Sequence, residues 1–235
     1  MRINKYLARA GVTSRRKADE LVRHGRVSRN GEAIHEPGVN VNPKSDYITV
    51  DGHPVSLPTE YVYFLLHKPQ NTISSLDDPR GRTTVVELIP TTRRIHPVGR
   101  LDYDTTGVLL LTDDGDLTYQ LTHPSNEVQR TYEITYEGTL PDTAAEQVQS
   151  GIDIGEDNPA AGDLEILWEM KHTGAAQLTL HSGRYHEVKR IFQFFDCTVT
   201  RLHRIRFAGL TCGNLKAGEY RELTDTEIST LKSRG

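Results

Sequence analysis

The sequence predicts an α+β protein of two domains, a small one at residues 1–50 and a larger one at 61–235, joined by a linker at 51–60. Strand-like and helix-like segments follow one another without a regular βαβ rhythm, which favours a mixed, mostly antiparallel β-sheet flanked by helices. A helix–helix–hairpin pattern fills the first 50 residues, and the two prolines of HPVSLPTE mark the linker. With 235 residues, 36% of them hydrophobic, the chain is long enough to bury a core.

The small domain shows clear local signals. Residues 3–10, INKYLARA, place their apolar side chains at helical spacing, and Gly11 follows as a stop signal. Ser14 is a suitable N-cap for a second helix that ends at Gly25. The Asn30-Gly31 pair lies between two short alternating segments and predicts a two-residue hairpin turn.

Positive charge is concentrated at the start of the chain. Residues 1–31 carry a formal charge of +7, whereas the remainder carries −11. Arg15, Arg16 and Lys17 occupy the first turn of the second helix, where the helix dipole favours anions over cations. A cationic helix start with unbonded backbone N–H groups suits a phosphate, although a solvated basic face gives the same count of charges.

The run SRRKADELVRHGRVSRNG, in its helix–helix–hairpin setting, resembles the S-four-type RNA-binding domain. This resemblance covers residues 1–50 and implies that the small domain binds structured RNA. The basic residues expected to contact RNA are Arg2, Lys5, Arg15, Arg16, Lys17, Arg26 and Arg29.

The larger domain contains one near-continuous apolar strand and several alternating ones. The segments read as strands are YVYFLLHKP, VLLLT, RTYEITYEG, AQLTLH and RLHRIRF, and the segments read as helices are GDLTYQLTHP and HEVKRIFQFF. In RLHRIRF, alternation puts Arg204 and Arg206 on one face, which can meet phosphates or can simply be a solvated face. Residues 139–169 hold eight acids and no Lys or Arg, which indicates a solvent-facing segment directed away from nucleic acid.

Composition excludes several classes of protein. No apolar run approaches the ~18 residues of a membrane-spanning helix, and the N-terminal residues lack the apolar core of a secretory signal. Cys197 and Cys212 are isolated thiols without metal-ligand or disulfide spacing. We therefore expect a cytoplasmic protein with no metal site and no membrane partner.

Two carboxylates stand at the entrance of a strand, in the stretch GRLDYDTTG that leads into VLLLT. Asp102 and Asp104 project to the same side if the segment is extended. Such a pair is typical of a turn in which aspartates bond their own backbone, and it also fits a metal site or a nucleophilic carboxylate. The residues alone leave these three interpretations open.

A wider resemblance favours the nucleophile. The segments GRLDYDTTGVLLLTDDGDLTYQLTHP, RTYEITYEG, SGRYHEVKRIF, LHRIRFAGL and LKAGEYRELT, in this order, are similar to the pseudouridine synthases of the RsuA/RluB branch. The resemblance implies that Asp102 is the nucleophile, with Asp104 structural and Lys189 as the cation paired with Asp102. It further implies that Tyr132 stacks on the flipped uracil and that Arg100 helps to hold the nucleotide.

Each of these roles has a simpler alternative in the sequence. Lys189 reads as a solvated helix lysine, Tyr132 as a core aromatic and Arg100 as a partner in a structural salt bridge. The residues expected to contact the substrate around them are Val188, Arg184, His186 and Arg204.

The implied reaction is the isomerisation of a uridine in ribosomal RNA, without a cofactor, by a monomer. The segment RYHEVKR favours small-subunit over large-subunit RNA, either free or within a partly assembled subunit. Two rival functions are a non-catalytic ribosomal-RNA-binding or assembly factor on the same fold, and a glycosidase that uses Asp102 and Asp104 as a carboxylate pair.

Overall fold

The computed structural model describes residues 1–233, which form two compact units. The first unit comprises Met1–Val62 together with Thr91–Arg94 and Asp113–Gly115, and the second comprises the other described residues. The elements of the first unit are α1 (Ile3–Arg9), α2 (Arg15–Arg23), β1 (Val27–Arg29), β2 (Glu32–Ile34), β3 (Ile48–Val50) and β4 (His53–Val55). The four strands form an antiparallel sheet in the order β2-β1-β3-β4.

The local signals of the small domain are confirmed. The Ser14 hydroxyl caps α2 by accepting the backbone N–H of Lys17 at 3.2 Å. Asn30 and Gly31 both have positive φ, 55° and 90°, as the hairpin turn between β1 and β2 requires. The apolar faces of α1 and α2 pack on this sheet, and Leu7 and Val22 are fully buried. These contacts give the first unit a hydrophobic core of its own.

The predicted linker needs a correction. His53–Val55 forms strand β4, which pairs with β3 at the edge of the small sheet. Pro54 favoured a linker because proline lacks the backbone N–H that a β-sheet needs for its hydrogen bonds. A strand at the edge of a sheet nevertheless tolerates proline. At the other end of the chain, residues 234 and 235 of the predicted larger domain lie outside the described residues.

The second unit is built around one large sheet. Its strands are β5 (Tyr63–Lys68), β6 (His96–Pro97), β7 (Thr106–Thr112), β8 (Arg130–Glu137), β9 (Gly162–Met170), β10 (Thr173–Leu180), β11 (Thr198–Phe207) and β12 (Tyr220–Glu222). Its helices are α3 (Gly115–Thr122), of which the first residue is grouped with the first unit, α4 (Ala144–Ser150), α5 (Glu187–Phe194) and α6 (Asp225–Lys232).

The strand order is β12-β5-β7-β11-β8-β10-β9, with β6 paired to β7. Within residues 1–233, the β7–β11 pair is the parallel one and the other pairs are antiparallel. The expectation of a mixed, mostly antiparallel sheet flanked by helices is therefore confirmed. No helix in this described part of the chain is long and apolar enough to cross a membrane.

Gly107 allows the central parallel pair to form. It lies opposite Arg204 in the β7–β11 register and has a φ of +113°. A Cβ atom at this position would lie 2.2 Å from the carbonyl oxygen of Arg204, which is far inside contact distance. The last glycine of GRLDYDTTG is thus required by the close approach of two backbones.

Replacing Gly107 with alanine is expected to lower the free energy of unfolding by about 2–3 kcal/mol, because the added methyl group pushes two central strands apart. Urea denaturation followed by circular dichroism measures the change. Gly115→Ala is the matched control, since nothing lies within 4 Å of its Cβ position and its φ is not positive. Equal stability of Gly107→Ala and the wild type would show that the β7–β11 contact relaxes without cost.

Candidate active site

The segment that leads into β7 forms one wall of a cavity of about 340 Å³. Residues 99–102 and Thr105 line this wall. The start of β8, the turn at residues 183–186 and the first turn of α5 line the rest, together with Thr122, Leu180 and Leu202. Thr105 donates its backbone N–H to the carbonyl of Asp102 at 3.1 Å, which closes a turn around the two aspartates. The Asp102 side chain, 27% exposed, reaches the cavity from this turn.

Two basic side chains from the α5 region approach Asp102. Its Oδ2 lies 3.5 Å from Nε2 of His186 and 3.9 Å from Nζ of Lys189. The resemblance implied that Lys189 pairs with Asp102, and the structure places the two groups side by side. The ammonium, however, donates its hydrogen bonds to both oxygens of Asp104, at 2.9 and 2.8 Å.

Asp104 is therefore more than a turn residue. Partial burial raises the pKa of its carboxyl, but the hydrogen bond and charge of Lys189 outweigh this effect and leave the pKa below its ordinary value. Its side chain is 63% exposed and does not line the cavity, whereas Lys189 is 28% exposed and does. Lys189 consequently stands between two carboxylates, with Asp102 on the inner side.

The remaining residues assigned by resemblance lie around the same cavity. Tyr132 on β8 and Val188 on α5 are 8% and 5% exposed and form apolar parts of the lining. Arg100 is exposed and contributes to the rim. The fold thus brings Arg100, Asp102 and Tyr132 together with the first turn of α5. Residues 100 and 189 line the same cavity although they are 89 positions apart in the sequence.

Arg184 and His186 also line the cavity, and their side chains already have protein partners, which for the His186 imidazole is the Asp102 carboxylate. The Arg184 guanidinium donates to the carbonyls of Asn158 and Pro159, at 2.5 and 3.1 Å, and thereby fastens the loop before β9. His186 is the N-cap of α5 in the left-handed conformation, with φ of 51°.

The prediction for Arg204 is wrong. Its side chain is 2% exposed, and its Nε donates to the carbonyl of Val108 at 2.9 Å. A β-bulge between Arg204 and Arg206 interrupts the alternation assumed from the sequence, so Arg204 faces the interior beside Phe207. Its guanidinium lies 4.6 Å from the centroid of the Phe207 ring and not on a phosphate-facing surface.

Two buried cations that support the site were missed. Lys68, with no exposed surface, donates to the carbonyls of Thr105 and Pro69 at 2.8 and 3.0 Å. Burial lowers the pKa of Lys68 to about 8, although the negative charges of Asp104 and Asp102 act in the opposite direction. Lys68 therefore braces the turn that carries the two aspartates. The sequence offered no signal beyond a lysine at the end of an apolar strand.

The second missed residue is Arg130, which lines the cavity from the start of β8. It donates to the carbonyls of Val128 and Ser182, at 2.7 and 3.1 Å, and burial lowers its pKa. A Cβ atom on Gly183 would lie 3.1 Å from its Nε, so the glycine keeps this contact close. An arginine at the start of a strand ordinarily reads as a surface residue, and no pattern distinguished it.

In the first unit, Arg15, Arg16 and Lys17 are exposed on the first turn of α2, as predicted from the sequence. Two other residues predicted to contact RNA are partly engaged within the protein. Arg26 pairs with Asp51 at 2.6 Å, and Arg29 donates to the carbonyl of Asn40 at 3.1 Å. Of the remaining pair, Arg2 is exposed and Lys5 is half-buried.

The geometry supplies a carboxylate next to an ammonium and an imidazole in a cavity with an aromatic wall. Such a group can act as a nucleophile or base on a planar ligand held against Tyr132. In the part of the chain that the structure describes, no three His, Cys, Asp or Glu side chains cluster as metal ligands would.

Comparison with known proteins gives consistent matches. A family model described as RNA pseudouridylate synthase matches residues 62–194, and a model of the S4 domain matches residues 1–46. The chain is 42% identical over 237 residues to the ribosomal large subunit pseudouridine synthase B of Bacillus subtilis, covering 99% of this chain and 96% of the relative. It is 36% identical over 237 residues to the ribosomal small subunit pseudouridine synthase A of Escherichia coli, covering 98% and 100%.

A solved structure supports the same match. A crystal structure of a pseudouridylate synthase superimposes with a TM-score of 0.72 at 33% identity, and the alignment covers 98% of this chain and 99% of the other.

Proposed function

The chain belongs to the RNA pseudouridylate synthase family, and on that premise we propose that it isomerises a uridine of ribosomal RNA with Asp102 as the nucleophilic carboxylate. The observation that carries the proposal is the position of Asp102 in the cavity, 3.5 Å from His186 and 3.9 Å from Lys189. The Lys189 ammonium and the His186 imidazole both face the carboxylate that would act as the nucleophile.

The reaction needs no second substrate. The bond from N1 of uracil to C1′ of the sugar breaks, the base turns within the cavity, and C5 bonds to C1′ while its proton is lost and N1 gains one. Asp102 can serve by attack on C1′, by addition to the ring or by removal of a sugar proton. In each case the nucleotide must leave its stack, because no side chain reaches these atoms inside a helix.

Tyr132 and Val188 give the detached base a surface to rest on. Both are almost completely buried in the apolar lining, so the ring of a uracil meets the Tyr132 ring with little water between them. Arg100, on the exposed rim, is placed to contact the backbone of the extruded nucleotide. Arg184 and His186 complete this rim through their polar groups.

The relatives support ribosomal RNA as the substrate class. Two of them that span nearly the whole chain are named for the large and the small ribosomal subunit, respectively. The match therefore supports ribosomal RNA in general, and the segment RYHEVKR still predicts the small-subunit RNA. The cytoplasm is the compartment in which such a substrate is made, and we expect the enzyme to act there as a monomer.

We propose that the first unit anchors the RNA through the start of α2. Replacing Arg15, Arg16 and Lys17 with glutamine is expected to weaken ribosomal RNA binding, because fewer phosphates are neutralised and fewer counterions are released. The salt slope of log K should fall by about 1 for each phosphate that is no longer bound, up to about 3. Filter binding over a range of salt concentrations measures the slope.

Lys171→Gln is the matched control for that experiment, because this exposed lysine follows the acidic segment at residues 139–169. Its slope should equal that of the wild type. An unchanged slope in the triple variant would remove the anchoring role from α2.

The rival function is a ribosomal-RNA-binding factor without activity. It gives no reason for a carboxylate and an ammonium beside an aromatic wall, whereas catalysis requires them. Pseudouridine mapping of total ribosomal RNA from a strain without this protein distinguishes the two functions. One missing pseudouridine, restored by the wild-type gene, supports the enzyme, and an unchanged map contradicts it.

A further inference from the structure

An exposed tyrosine stands on the rim of the cavity. Tyr185 lines the cavity, yet its side chain is among the most exposed large hydrophobic ones in the described chain, at 67%. It belongs to the turn between β10 and α5, next to His186. Neither its sequence pattern nor the roles proposed above assign it a function.

The Tyr185 ring is held in place by its neighbours. It stacks on the imidazole of His186, with ring centroids 3.8 Å apart and planes inclined by 18°. The backbone carbonyl of Tyr185 accepts a hydrogen bond from Arg190 at 3.3 Å. One face of the phenol is therefore covered and the turn is braced. Because the ring is already held in place, the binding of a ligand on its open face costs little side-chain conformational entropy.

The turn itself is fixed from the other side by a buried acid. Glu187 is 4% exposed and accepts the backbone N–H of Arg184 at 2.9 Å. It also accepts the hydroxyl of Ser182. These bonds place residues 182–187 in one conformation with Tyr185 directed outward.

We propose that Tyr185 is a stacking platform for an unpaired nucleobase that adjoins the target uridine in the RNA. When the uridine leaves its stack, a face of the neighbouring base loses its partner. A flat ring at the rim of the cavity that receives the uridine is in the right place to cover that face. Stacking on an aromatic side chain serves any of the four bases, because each has a π-face.

This inference rests on the proposed function, since it requires that a uridine enters the cavity. It adds a substrate preference: the bases beside the target are unpaired when the enzyme binds, in a loop, a bulge or an unfolded segment. The phenol hydroxyl has no part in this role, so phenylalanine should replace tyrosine without loss.

The test measures steady-state kinetics on an RNA fragment that contains the uridine identified by mapping, with Tyr185→Leu, Tyr185→Phe and the wild type. Replacing Tyr185 with leucine should raise KM about 10-fold, a loss typical of one base stack, with a smaller effect on kcat. Tyr185→Phe should stay within about twofold of the wild type. Trp168→Leu, at an exposed aromatic of the acidic segment, is the matched control and should change neither constant.

A second substrate makes the result specific. The same fragment with an abasic nucleotide on either side of the uridine should raise the KM of the wild type about 10-fold on one of the two sides. For Tyr185→Leu, that abasic change should have no further effect, because the stack is already absent. Additive losses, or an unchanged KM in Tyr185→Leu, would overturn the stacking role. Absence of any product with the wild type would instead overturn the proposed function.

Discussion

Replacing Asp102 with asparagine is expected to lower kcat by at least about 10³-fold while RNA affinity stays within a few-fold of the wild type. Asparagine keeps the shape of the side chain but has neither the charge nor the nucleophilic oxygen. The first unit is unchanged by this substitution, so RNA anchoring persists. Release of tritium from ribosomal RNA labelled at uridine carbon 5 measures turnover, and filter binding measures affinity.

Asp104→Asn is the matched control for that experiment. The Asp104 carboxylate is exposed and hydrogen-bonded to Lys189, so its removal frees the ammonium to approach Asp102. We expect a loss of less than about 10-fold, in keeping with the modest value of an exposed ion pair. Full activity of Asp102→Asn would contradict the nucleophile assignment. Equal losses in both variants would favour a mechanism in which the two carboxylates act as a pair.

The second large effect is expected at Lys189. Replacing it with methionine, which keeps much of the aliphatic stem, should lower kcat by about 10²–10³-fold, the loss typical of removing one charged stabilising group. The carboxylates of Asp102 and Asp104 would then lack the cation between them, and Asp102 would lose an attractive partner. The same tritium-release measurement applies.

Lys189→Arg separates charge from packing. An arginine retains the positive charge and has a side chain long enough to approach both aspartates. The activity of Lys189→Arg should therefore stay within about 10-fold of the wild type, unlike that of Lys189→Met. Circular dichroism of each variant confirms that the fold persists. If the methionine and arginine variants were equally impaired, the role of Lys189 would be steric and not electrostatic. If neither were impaired, Lys189 would be a solvated helix lysine.

Much of the fold follows from local patterns. The Ser14 cap and the Asn30-Gly31 turn each depend on residues close in sequence, so they were predictable one element at a time. The strand β4 was missed because Pro54 disfavours a strand unless it lies at a sheet edge, and the sequence does not show where the edge is. The helix α4 and strand β9 were hidden by the acidic composition of residues 139–169, where most side chains face solvent.

The candidate site could be predicted from the sequence where a specific motif indicates it, and not where it depends on tertiary contacts. Asp102 stands in a motif read directly from the sequence, whereas Lys68 and Arg130 act through backbone carbonyls up to 52 positions away. The prediction for Arg204 failed because a single β-bulge reverses which face a side chain occupies. Such a bulge depends on the pairing with the partner strand, so the alternation of polar and apolar residues along the sequence does not indicate it.

A crystal structure of the enzyme bound to a ribosomal RNA fragment that carries 5-fluorouridine at the target position would show directly which group meets the extruded nucleotide. We predict that the fluorinated nucleotide is extruded into the cavity, with its ring against Tyr132 and its C1′ or ring carbon in contact with the Asp102 carboxylate. A fluorinated nucleotide that remains stacked in the RNA, or that binds with Asp102 turned away from it, would rule out Asp102 as the nucleophile.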